Sequence, residues 1–270
     1  MAHYAGRTGN VAVGDLVLSN CDDTWDEQVD ADVTQSTEST DSTLYKQGEG
    51  SQKSVCAAGL ADGDIIASDV VSADCTGYSR IQFWAYSSVN ITGVGDLQLL
   101  IDEHAMCASP LAVNIPVLVA STWKHCSVVA AITGLSAVIS LGSKLTANDP
   151  GAFTLYLDDI RAARVIAGIR NWTLDYTVDT VETTDFADAG TASYLPTISR
   201  WGGTFAGLKD GVPLTIGSQY SIQLLETVTY TEAWTGMVVI TGVSPSVAFD
   251  GSVDYSYTYQ GTNALTVPTA

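Results

Sequence analysis

The sequence predicts an all-β protein made of two halves, and three observations carry that prediction. Helical periodicity is absent, while short β-branched or aromatic segments end repeatedly in Gly, Asp, Asn, Ser or Pro. The texture changes at ARVIAGIRNW (163–172): every cysteine lies before it, and Thr, Tyr, Gly and Val dominate after it. Near the end, FDGSVDYSYTYQG (249–261) alternates cleanly. Val253, Tyr255, Tyr257 and Tyr259 share one face there, and Asp254, Ser256, Thr258 and Gln260 share the other.

In chain order, strands are expected near 15–18, 53–58, 65–71, 80–87, 96–102, 122–129, 137–141 and 154–161. That density over residues 1–164 suits a jelly-roll sandwich. The polar stretch 26–43 reads as a long loop, and GLSAVIS (134–140) as a strand start or a short helical turn. Residues 165–270 form the second β domain, with strands near 171–178, 200–208, 219–227, 235–243 and 251–260. TVDTVETTDFADAG (177–190) reads as the loop between the first two. In ASYLPTISRWGGTFAGLKDG (192–211) the pair Leu195-Pro196 closes one pairing segment, and Arg200 opens an alternating strand that carries Trp201 and Phe205.

With 270 residues the chain has room for two domains, or one large β domain, each with a real core. Hydrophobic residues at 46% against 15% charged exclude a disordered polyampholyte. Lys and Arg number 11 against 30 Asp and Glu, a formal charge of −19, which excludes wrapping or reading nucleic acid. The same charge is compatible with a wall past which DNA slides, and equally with an ordinary soluble surface. No run approaches the roughly 20 apolar residues of a membrane span. MAHYAGRTGNVAVGDLVL lacks the pattern of a signal peptide, so cytosolic synthesis without membrane insertion is expected. The five cysteines are odd in number and form no CxxC pair. They are expected as free buried thiols, with Cys56 and Cys75 the first pair to test, and their spacing excludes structural zinc.

Catalytic constellations are looked for and not found. Histidine occurs only at 3, 104 and 125, none beside a nucleophile motif, and His125 reads as a structural residue on a strand. The carboxylate pairs Asp22–Asp23, Asp102–Glu103 and Asp158–Asp159 are adjacent in sequence. On a strand they point to opposite faces and cannot flank one bond. Phosphate-binding loops, dinucleotide fingerprints and EF-hand loops are missing as well, so no enzyme and no catalytic residue is expected.

Two resemblances follow from quoted motifs. NCDDTW (20–25), LYKQGEGSQKSV (44–55), YSRIQFWAYSS (78–88) and FTLYLDDIRA (153–162) together resemble the jelly-roll modules of carbohydrate-binding proteins. That resemblance implies a structural calcium near Asp22 with Asp158 or Asp159, and sugar binding on exposed aromatic residues, for which Trp25, Trp84 and Trp123 compete with a role as core anchors. GIRNWTLDYTVDTVETTDF (168–186), ADAGTASYLPTISRWGGTFAGLKDG (187–211) and TGMVVITGVSPSVAFDGSVDYSYTYQGTNALT (235–266) resemble the tail tube proteins of long-tailed bacteriophages. Their long inter-ring loop corresponds to 177–196 here, shorter than tube subunits often carry. The jelly roll is an addition that the simple tube proteins lack.

The tube resemblance implies a non-enzymatic virion structural protein, made and assembled in the host cytoplasm. Six β domains joined edge to edge would form a ring, and rings would stack around a channel through which DNA passes without specific binding. Leu195, Pro196, Arg200, Trp201, Phe205, Tyr255, Tyr257 and Tyr259 are the expected assembly residues. Residues 165–270 hold ten acidic against three basic side chains, a balance suited to such a channel or to a plain outer surface. Other virion proteins and host surface glycans are the further partners expected. The alternatives are a capsid head decoration protein, bound as trimers or around hexamers, and a carbohydrate-binding module protein with an accessory domain.

Overall fold

The computed structural model describes residues 9–184, 191–226, 233–249, 251–262 and 264–268. Residues 185–190, the end of the expected 177–190 loop, lie outside the described residues, as do Thr227, Asp250 and His3. The protein is all-β, with sixteen strands among the described residues. Two compact units divide the chain: Gly14–Arg164, and Met1–Val13 together with Val165–Ala270. Residues 9–13 therefore group with the second half of the chain. Among the described residues no helix is long and apolar enough to cross a membrane.

The unit Gly14–Arg164 is a two-sheet sandwich. One sheet contains β3 (Val33–Glu38), β4 (Ser51–Cys56), β11 (Phe153–Val165), β6 (Arg80–Ser87) and β9 (Lys124–Val129). The other runs β2 (Gln28–Val29), β5 (Ile65–Ala73), β10 (Val138–Leu145), β7 (Leu97–Asp102) and β8 (Leu111–Asn114). Period-two alternation sends Ile81, Phe83, Leu155, Leu157, Leu99, Ile101 and Leu141 into the shared core with Trp25. All five cysteines are free and buried, Cys56 and Cys75 among them.

One expectation fails in this unit, and one strand is additional to those expected. The stretch 26–43 is not a loop, since it contains β2 and β3, and β3 pairs with β4 from Val33–Cys56 to Glu38–Ser51. On the inward face of β3, Val33 joins the apolar core, while Gln35 is polar and satisfied sideways: Gln35 Nε2 donates to Ser54 Oγ (2.8 Å), and Gln52 Nε2 donates to Gln35 Oε1 (2.5 Å). Strand β8, between Pro110 and Pro116, went unread. GLSAVIS resolves as a 3-10 turn at Ile132–Gly134 followed by β10.

The C-terminal unit is one antiparallel sheet in the order β12 (Ile169–Glu182), β13 (Tyr194–Leu208), β16 (Val253–Gly261), β15 (Ala233–Val247), β14 (Gln219–Leu225), then the first residues of β1 (Asn10–Ser19). Its core gathers Val11, Val13, Trp201, Phe205, Tyr220, Ile222, Leu224, Val238, Ile240, Tyr257 and Tyr259. The alternation expected for β16 is present, with Tyr257 and Tyr259 buried and Ser256, Thr258 and Gln260 exposed.

Candidate assembly surface

The expected loop at 177–190 begins as strand over residues 177–182. Strand β12 continues to Glu182 and β13 starts at Tyr194, pairing through Thr177–Arg200, Val178–Ser199, Thr180–Pro196 and Glu182–Tyr194. Pro196 therefore does not end a pairing segment. It sits inside β13, tolerated because β16 reaches β13 only from Gly202 onward and leaves that side of the strand unpaired. The result is a two-stranded arm that outruns the rest of the sheet.

The arm is covered with apolar side chains in water. Leu195 is 58% exposed and Ile198 60%, with Tyr176, Val178, Val181 and Tyr194 also exposed. A two-stranded ribbon alone is marginally stable, and burying such side chains stabilises by roughly 1.5–3 kcal/mol each. Strand β12 is also the terminal strand of its sheet, so its outer edge carries unpaired backbone groups for another strand. An ion pair between Arg200 Nη2 and Asp179 Oδ2 (2.8 Å) bridges the arm's two strands, both partners largely exposed.

At the other end of β13, about 46 Å away at 3.3 Å per residue, the β15–β16 hairpin exposes Val247 and Phe249, beside exposed Leu208. Lys209 N donates to the Val253 carbonyl there, and Arg170 Nη1 lies 3.3 Å from Asp254 Oδ1. The sheet thus has an apolar, net acidic arm (Asp175, Asp179, Glu182 against Arg200) at one end. At the opposite end is an apolar hairpin with Arg170 and Lys209 close by.

Between the ends the two faces differ. On the packed face Phe205 stacks on Tyr257 (4.7 Å, 23°), and Tyr259 lies 6.1 Å from Phe205 and 6.3 Å from Trp201. Tyr259 Oη donates to the Thr173 carbonyl (2.7 Å), and burial pushes its phenol pKa up. The opposite face is hydroxyl-rich: Thr173 and Thr204 meet at 2.9 Å, and Gly202 and Gly203 floor a shallow groove of ≈ 320 Å³ with Asp175, Thr258 and Gln260.

The eight expected assembly residues accordingly separate. Leu195, Pro196 and Arg200 lie on the exposed arm. Trp201, Phe205, Tyr257 and Tyr259 are buried in the unit's own core, and Tyr255 is half-buried beside them. The exposed Tyr176, Val178, Val181, Ile198, Val247 and Phe249 went unread. Their signal was available only as apolar residues scattered in polar, loop-like sequence.

The jelly-roll unit places Asp22 and Asp158 at the 44–50 turn, as the calcium expectation required, but the carboxylates do not fit that ion. Asp22 Oδ1 accepts the Glu49 and Gly50 amides (both 2.9 Å), and its Oδ2 accepts Asn20 Nδ2 (2.7 Å). Asp158 Oδ2 accepts the Lys46 and Gln47 amides (2.5 and 2.9 Å), and Asp159 pairs with Arg161 (2.6 Å). Calcium takes six to eight oxygens, and of the few here both Asp22 oxygens, Asp158 Oδ2 and Asp159 Oδ1 are turned to N–H donors, which leaves Asp158 Oδ1 as the one buried carboxylate oxygen of Asp158 without a partner. Among the described residues no group of three or more His, Cys, Asp or Glu is placed to hold a metal. Burial pushes the Asp158 carboxyl up to about 7, against the pull of its amide donors. His104 Nδ1 lies 3.0 Å from Asp102 Oδ1, and burial lowers His125 to about 4.

No family model matches the chain, and no curated protein matches it. It is similar to a chain in the tail of an empty gene transfer agent particle refined with C6 symmetry. The identity is 17% over 42% of this chain and 87% of that one, with a TM-score of 0.32. A chain of the native gene transfer agent virion is similar at 18% identity over 40% of this chain and 89% of that one, with a TM-score of 0.34. At these TM-scores neither likeness assigns this chain a fold family or a role.

Proposed function

We propose that this protein is a structural subunit of a phage-like virion, and that it is a tail tube subunit whose rings stack around a DNA channel. The observation that carries the reading is the β12–β13 arm, a two-stranded ribbon with exposed Leu195 and Ile198 that the described residues leave uncovered. A second copy is the occupant that suits it. Arm and hairpin lie at opposite ends of one sheet, so a contact between them is head-to-tail and repeats without closing, as stacking requires. Closure into a ring uses a different feature, the unpaired edge of β12. Six copies per ring is the order that the sequence resemblance implies.

In this arrangement the face with Thr173, Asp175, Thr204, Ser256 and Thr258 lines the channel. Hydroxyls and carboxylates without clustered cations give DNA nothing to hold. The jelly-roll unit faces outward. Size-exclusion chromatography and negative-stain microscopy of the purified full chain test the reading. Rings or tubes are expected, whereas a stable monomer or trimer that never assembles overturns it in favour of a head decoration protein.

A further inference from the structure

The row of rings in the C-terminal core runs out to the surface at the root of the arm. Tyr257, Phe205, Tyr259 and Trp201 follow one another along the packed face at centroid separations of 4.7, 6.1 and 6.3 Å. Beyond Trp201 lies a groove of ≈ 260 Å³. Tyr176, paired with Trp201 in the β12–β13 ladder and 50% exposed, walls it on one side, and Leu265 walls it on the other. The second wall is fixed by the backbone, because Thr262 N donates to the Met237 carbonyl (2.9 Å) and Thr266 N to the Thr235 carbonyl (2.8 Å). Among the described residues that line the groove, Arg200 is the single charged side chain.

The opposite end of the same sheet carries a side chain that suits this groove. Phe249 is fully exposed in the connection between β15 and β16. Ala248 N donates to the Ser252 carbonyl (2.9 Å), and Gly251 N donates to the Ala248 carbonyl (3.0 Å). Phe249 therefore projects from a hydrogen-bonded turn, and a side chain already held in place costs less to order on binding.

Size, chemistry and charge all match. A cavity of about 150 Å³ holds a benzene molecule, so the groove has room for one phenyl ring. Rings favour edge-on or offset contact with other rings, which Trp201 and Tyr176 provide. The Arg200 guanidinium, which Asp179 Oδ2 meets at 2.8 Å, attracts the face of such a ring. Around the groove the arm is net acidic, with Asp175, Asp179 and Glu182 against Arg200, whereas exposed Lys209 flanks the hairpin through its N–H bond to the Val253 carbonyl. A copy cannot fill its own groove. Strand β16 separates the hairpin from Gly261 at the groove, about 26 Å at 3.3 Å per residue.

We infer that Phe249 of one copy inserts into the groove between Tyr176, Trp201 and Leu265 of the next, as a phenyl knob that locks the copies head to tail. The inference rests on the tube reading and names the contact by which its rings stack.

Cross-linking in the full chain tests it. Ala248→Cys places a thiol beside the knob and Ser199→Cys places one at the groove, while the native cysteines are buried. The two variants, mixed and treated with a short bismaleimide, should give a covalent dimer that neither gives alone. Phe249→Ala in the Ala248→Cys chain should remove that dimer. In the otherwise native chain Phe249→Ala should raise the concentration needed for assembly about tenfold or more, and Phe249→Tyr, which keeps the ring, should leave it within about twofold. Thermal melts check that each variant folds, as the exposure of Phe249 leads one to expect. If the wild type assembles but Phe249→Ala assembles equally well, or the mixed cysteine variants give no dimer, the knob is overturned and the tube reading stands. A dimer formed by Ala248→Cys alone marks a hairpin-to-hairpin contact and also overturns the knob. A wild type that neither assembles nor allows cross-linking overturns both.

Discussion

The Trp201 ring fills the space that a Cβ on Gly261 would need, and a Cβ on Gly236 would come within 2.6 Å of its Cζ2. Two glycines on neighbouring strands thus form a slot for one indole at the root of the arm, where β13 leaves the cover of β16. The slot fixes the core at the point where the ribbon begins to project.

Gly261→Ala should therefore destabilise the C-terminal unit by overpacking, by about 1–3 kcal/mol. Chemical denaturation followed by tryptophan fluorescence measures it. An unchanged midpoint would mean that Trp201 has room to move and that the slot is not tight.

Asp158 should make stability depend on pH with an unusual sign. Its folded pKa, raised to about 7, lies above the ordinary value near 3.8, so between the two the folded state keeps a proton that the unfolded chain has shed. The group favours folding below that window and loses this contribution as pH rises through 7. Asp158→Asn should remove the slope, so that the variant gains stability relative to the wild type between pH 5 and pH 8. Denaturation at the two pH values checks the direction. A parallel response of both proteins would place the Asp158 pKa near the ordinary value.

The cysteines should be inert in the folded protein. Burial pushes the Cys56 and Cys126 thiols up to about 12, and Cys75 and Cys107 to about 11, leaving almost no thiolate at neutral pH. Ellman's reagent should react slowly with native protein and rapidly with five thiols in denaturant. Rapid native labelling of any one would reveal local opening around it.

How far the sequence could be read depended on whether each signal was local. The alternation of Tyr255, Tyr257 and Tyr259 with Ser256 and Thr258 marked β16, because one face packs and the other meets water. Strand β3 was hidden because its inward residues include Gln35, matched by Gln52 and Ser54 from a strand that sequence reading had not paired with it. The arm reads as a loop in sequence because TVDTVE is exposed on both faces and so shows no alternation. Pro196 pointed the same way, yet a proline interrupts pairing only where its missing N–H was needed.

Which of the expected assembly residues are exposed is legible only in part, for a related reason. Trp201, Phe205, Tyr257 and Tyr259 are among the residues expected in assembly, but an aromatic residue on a strand does not reveal which sheet face is covered, and these pack inward. Ile198 and Phe249 carry the exposed apolar surface and sit in polar sequence that gave no pattern. In the jelly-roll unit Tyr86, Trp123 and Tyr156 form a ring cluster from three separate segments, which only the fold brings together.

The most direct test of the central claim, that copies of this chain assemble through the arm, is sedimentation velocity with negative-stain microscopy on the full chain and on a Leu195→Asp/Ile198→Asp double variant. Both side chains are exposed, so the variant should melt within about 0.5 kcal/mol of the wild type. Long assemblies are expected from the wild type, and from the variant no more than isolated rings or monomers. Equal assemblies from both proteins, or none from the wild type, would contradict it.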